Sequence, residues 1–143
     1  MTRDALREAL YDLPAIFALR EALASLDPAA PPRAVVAQKA ADASAPGGGV
    51  AVGILAGSFD PLTVAHAALA RAALDAGGLD ALYLALSRHT VDKEGIARPS
   101  QADRALVLRL YARRRAGHGL LLFNRGLYAE QAEAARVAFP GAR

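Results

Sequence analysis

The sequence predicts an α/β protein, a parallel sheet with flanking helices, preceded by an N-terminal helical extension. Three observations predict it. The apolar runs VAVGILA (50–56), ALYLALS (81–87) and LLLFN (120–124) have strand length and no polar alternation, as expected of strands buried on both faces. Helix-length segments separate and follow them, punctuated by Gly77-Gly78, Gly117 and Gly119. The first 49 residues differ in character, a helical pattern giving way to a stretch rich in Pro, Ala and Gly.

Taken in order, Leu6, Leu10, Leu13, Phe17 and Leu23 recur near a 3.6 period over residues 3–26, and Pro14 divides that run into two short helices. Residues 27–49 read as a linker with one short helix at about 33–41. The chain therefore divides into an extension and linker (1–49) and an α/β unit (50–143). After strand 50–56 a helix is expected from about Pro61 to Asp75, with Asp60 suited to cap it and Pro61 to its first turn. A polar loop (88–99) follows the second strand, and Ser100 with Asp103 gives a capping-box start to a helix over about 101–116. Strand 120–124 and a helix over about 127–138 complete the order β-α-β-α-β-α.

Connections of this length imply parallel strands in spatial order 3-2-1, with 50–56 as strand 1. This is the N-terminal half of a doubly wound, Rossmann-like fold, whose ligands sit beyond the carboxyl ends of the strands. Those ends carry Gly57–His66, Ser87–Arg98 and Asn124–Gly126. With only half of the sheet, strand 50–56 has an open apolar edge suited to self-association.

Composition bounds the function. The 143 residues are 54% hydrophobic and 22% charged, ordinary for a globular domain with its own core. No apolar run approaches the ~18 residues of a membrane span, and the N-terminus has no signal-peptide core, so a cytoplasmic protein is expected. The absence of cysteine excludes disulfides and thiolate metal sites. A net charge of +3 is too small to argue for nucleic-acid binding. The one dense basic cluster, Arg113-Arg114-Arg115, suits the carboxyl end of a helix, and no aromatic residues interleave it.

The stretch that carries chemistry is GSFDPLTVAH, residues 57–66. Gly57 lets the backbone turn sharply after a buried strand and approach a ligand closely. The following helix aims its free N–H groups at that turn, which makes an anion site. Thr63 and His66 are three residues apart and share a face of the first turns. Both are expected to face one cavity at the end of the strand, with Lys93 on its rim. The structural alternative is a capping hydroxyl at Thr63 and a histidine satisfied by a carbonyl.

The same ten residues resemble the first signature of the nucleotidyltransferase superfamily, written (H/T)xGH. Gly57, Ser58, Phe59, Asp60, Pro61, Thr63 and His66 match it, and Ala65 stands where Gly is usual. The segment SRHTVDKEGIARPSQADRALVLRLYA is similar to that following the second strand of nicotinate- and nicotinamide-mononucleotide adenylyltransferases, with Lys93 and Arg104 at matching positions. The resemblance covers about residues 50–143 and is specific only in its first signature. It implies attack of a mononucleotide phosphate on the α-phosphorus of ATP, with pyrophosphate leaving. It implies that His66 donates to the α-phosphate, that Gly57, Thr63 and the Ser58-Phe59 backbone hold phosphates, that Lys93 holds the acceptor phosphate or the β/γ phosphates, and that Mg²⁺ bridges the ATP oxygens. Arg88 and His89 are expected near the acceptor base, while Arg104 reads as a structural ion-pair partner and His118 as a turn residue. The family's second signature, of ISSTxxR type, has no match after residue 66. Two further readings therefore stand beside the first, a pantetheine-phosphate adenylyltransferase-like enzyme and a non-catalytic nucleotide- or partner-binding module.

Overall fold

The structure, a computed structural model, describes residues 12–41, 50–88 and 99–143. Helix α1 (Leu13–Ser25) leads to strand β1 (Ala34–Gln38), followed by β2 (Val52–Ala56), α2 (Val64–Gly77), β3 (Ala81–Ser87), α3 (Gln101–Arg113), β4 (His118–Phe123) and α4 (Tyr128–Ala138). The part of the expected helical stretch before residue 12 lies outside the described residues.

The four strands make one open sheet of order β1-β4-β3-β2. β2, β3 and β4 are parallel, so the expected 3-2-1 order holds among them. β1 lies antiparallel on the far side of β4, with Ala34 opposite Phe123 and a register shift between Val36 and Gln38. A short helix was expected at 33–41, so this strand is a correction. Its physical cause is the free edge of β4, which offers a full row of backbone partners to a five-residue segment containing two β-branched valines.

The sheet buries a layer on each face. On one, Leu84, Leu86, Leu120 and Leu122 meet Ala105 and Leu108 of α3 and Leu19 and Leu23 of α1. On the other, Tyr83, Ala85, Leu121 and Phe123 meet Ala134 of α4. Complete burial of one such leucine is worth about 1.5–3 kcal/mol. Asp12, at the start of α1, pairs with Arg109 at 3.1 Å and Arg113 at 3.2 Å, which fixes α1 along α3. Gly119 is required by packing, since a Cβ there would collide with the Tyr83 ring and lie 2.8 Å from the Gln38 carbonyl. His118 opens β4 and is buried, rather than forming part of the preceding turn.

β2 is half-buried along its whole length, although its sequence is as apolar as that of β3. At its amino end the Arg143 main chain bonds to it, with Arg143 N–H donating to Val50 O (3.0 Å) and Val52 N–H donating to Arg143 O (2.9 Å). No helix among the described residues is long and apolar enough to cross a membrane.

Candidate active site

The carboxyl end of β2 leads straight into the stretch GSFDPLTVAH. Gly57 N–H donates to Ala85 O at 3.2 Å, which prolongs the sheet ladder by one residue. A Cβ at Gly57 would press on the Phe59 ring at 3.2 Å, so any other residue there would require that ring to shift by a few tenths of an ångström. Phe59 is 2% exposed and its φ is +44°, a left-handed conformation that a bulky residue adopts only at a cost of about 1–3 kcal/mol. Ring burial helps to hold it there. So does Arg104 of α3, whose NH1 group donates to Ser58 O at 2.8 Å. Among the described residues Arg104 pairs with no carboxylate, which corrects its reading as an ion-pair partner.

Helix α2 begins later than the sequence suggests. Its cap is Thr63, in extended conformation, and not Asp60; the Asp60–Pro61 peptide, which is cis, belongs to the turn before it. His66 occupies the third position of the helix. Its Nδ1 accepts from the Thr63 main-chain N–H at 3.1 Å and lies 2.8 Å from the Thr63 hydroxyl. A main-chain amide can only donate, so Nδ1 is the acceptor nitrogen and the neutral ring carries its proton on Nε2. The ring packs against Phe59 with centroids 5.1 Å apart. Thr63 thus caps the helix and fixes the histidine's tautomer, and His66 is left with a donor at Nε2.

Beyond the carboxyl ends of β2, β3 and β4 lies a cavity of about 770 Å³. Gly57 and Ser58 form one wall, Ser87 and Asn124 the floor, and the start of α4 with Pro28 and Ala29 the opposite side. Of the expected site residues only Gly57 and Ser58 line it; Thr63 and His66 stand past the turn and do not. Lys93 and His89 lie outside the described residues.

The far side of the cavity lies at the expected strand ends, Ser87 and Asn124–Gly126, but its internal hydrogen-bond network is not legible in the sequence. Asn124 is 1% exposed. Its Oδ1 accepts from Arg33 N–H (2.8 Å), and its Nδ2 donates to the carbonyls of Asp27 (2.8 Å), Pro31 (2.9 Å) and Ala30 (3.3 Å). Arg125 donates to Ala30 O and pairs with Glu130 at 2.7 Å. Ser87 donates to Arg125 O, and Gln131 donates to Ser87 Oγ. Arg88, expected near an acceptor base, instead caps α1 through NH1, which donates to the Leu23, Ala24 and Leu26 carbonyls. An asparagine closing a buried apolar run was the one sequence signal of this corner.

No curated protein and no solved structure matches the chain significantly. The model of the cytidylyltransferase-like family matches residues 54–117, from β2 through α3, and so points to nucleotidyl transfer in general.

Proposed function

We propose that the chain transfers an adenylyl group from ATP to the phosphate of a mononucleotide, nicotinate or nicotinamide mononucleotide, with release of pyrophosphate. One observation carries the reading. The turn Gly57–Phe59, inside the family match, joins the cavity to a helix start where His66 keeps a donor at Nε2. A phosphate chain laid over this turn would run from the cavity towards His66. The nucleophile is already an anion, so the reaction needs little acid–base chemistry; it needs alignment and stabilisation of charge on the α-phosphate. His66 Nε2–H and the helix N-terminus supply that stabilisation. Among the described residues no group of three His, Asp or Glu side chains could hold a metal ion. Mg²⁺ enters this reading only as part of the metal–nucleotide substrate.

The test is pyrophosphate release by the wild type and His66→Ala, with ATP or CTP as donor and either mononucleotide or phosphopantetheine as acceptor. The expected result is acceptor-dependent release with ATP that falls about 10²–10³-fold in His66→Ala. Release that needs no acceptor, or that survives His66→Ala unchanged, overturns the proposal. A preference for CTP or for phosphopantetheine would reassign the substrates.

A further inference from the structure

Arg104 is 7% exposed, and within the described residues its only hydrogen bond goes to a main-chain carbonyl, Ser58 O. Its Nε is buried and has no acceptor among the described residues. Burying a guanidinium without a carboxylate is unfavourable for stability. A simple cross-link between α3 and the turn would be served as well by a neutral donor. The partner it does have is informative. The Ser58–Phe59 peptide is trans, so its carbonyl and its N–H point in opposite directions. With the carbonyl held on the α3 side, the Phe59 N–H is turned away from α3. Among the described residues neither Ser58 N–H nor Phe59 N–H has an acceptor, whereas the neighbouring Gly57 N–H is spent on the sheet.

From these contacts we infer that Arg104 is a positioning residue for the reaction: it locks the Ser58–Phe59 peptide with its N–H, not its carbonyl, available to a phosphate. The inference rests on the nucleotidyl-transfer reading for its ligand. Ser58 is exposed and follows a glycine, and among the described residues Arg104 is the one group hydrogen-bonded to that peptide. Once flipped, it would present a carbonyl dipole to the anion and repel it. The buried positive charge adds attraction at the same place and has no carboxylate among the described residues to neutralise it.

Inorganic pyrophosphate is the probe, titrated into ¹⁵N-labelled full-length chain. The wild type is expected to bind it with a downfield shift and slowed exchange of the Phe59 amide. Arg104→Met is expected to keep a cooperative thermal transition and to weaken pyrophosphate binding by about 10- to 100-fold, the effect of one charge-assisted hydrogen bond. Arg104→Lys, which keeps a donor of similar reach, is expected to recover part of the loss. Equal binding by wild type and Arg104→Met, or a Phe59 amide unmoved at saturation, overturns the inference and leaves the nucleotidyl reading intact. Should Arg104→Met not fold, the wild-type Phe59 amide decides alone. Arg104-dependent pyrophosphate binding without nucleotidyl transfer overturns the reading and keeps Arg104 only as the residue that positions the Ser58–Phe59 peptide for an anion. A wild type that binds neither pyrophosphate nor ATP overturns both.

Discussion

Two polar corners flank the same end of the sheet and are built on opposite rules. At the Asn124 corner the polar groups find partners inside the protein: one buried amide holds three carbonyls and an N–H of the 27–33 loop, and Ser87, Gln131, Arg125 and Glu130 complete the network. At the Gly57–His66 corner, among the described residues, the Ser58 and Phe59 N–H groups have no acceptor, a phenylalanine sits in a left-handed conformation, and a buried arginine bonds to a single carbonyl. Internal satisfaction makes a rigid wall; under the proposed function, the donors left without acceptors and the strained turn are what an anion would stabilise. Under the proposed function the difference separates architecture from chemistry at one end of the sheet.

If that separation is right, substitutions at the two corners fall on different observables. The largest effect is expected from Asn124→Leu, which strands three carbonyls and an N–H. At about 1–3 kcal/mol for each buried polar group left unpaired, partly relieved by water, the loss should be near 4 kcal/mol in chemical denaturation. A loss below about 1 kcal/mol would show that the 27–33 loop is not held by Asn124. Next is His66→Ala, whose cost should appear in the rate and not in the midpoint: about 10²–10³-fold in turnover, with stability changed by no more than about 1 kcal/mol. A large fall in stability without a kinetic effect would move His66 to the architectural side. Smaller again is Thr63→Ala, which removes the hydroxyl of the α2 cap and should cost about 1 kcal/mol of stability. Thr63→Ser, which keeps the hydroxyl, should stay within a few tenths, and a difference between the two in rate alone would make Thr63 a substrate contact.

What the sequence reveals follows the range of the forces involved. The runs 50–56 and 81–87 announce strands because apolar continuity is a local signal, and Ser100 with Asp103 announces the start of α3 for the same reason. The stretch GSFDPLTVAH reveals the turn and the histidine. It does not reveal that Thr63 caps α2 in place of Asp60, because the choice depends on how many residues the turn consumes. β1 is missed because Ala34–Gln38 is too short and alanine-rich to declare itself; it becomes a strand through pairing with β4. Arg88 and Arg104 are legible as cations near a site, but their partners, the end of α1 and Ser58 O, are set by tertiary packing.

The antiparallel pairing of Ala34 with Phe123 has a consequence for the order in which the molecule can assemble. β1 precedes the other described strands in the chain, yet the strand it pairs with, β4, is the last of them. At about 5–20 residues per second, on the order of 5–20 s of translation separates the two. During that time Val35 and Val36 have no edge to join, and the loop that walls the cavity has no Asn124 to hold it, 91 residues away at Arg33. Local strand–helix units close early, while the wall arrives only with the slow, long-range contact. A nascent chain halted before β4 would therefore carry the Gly57–His66 turn without the Asn124 side of the cavity.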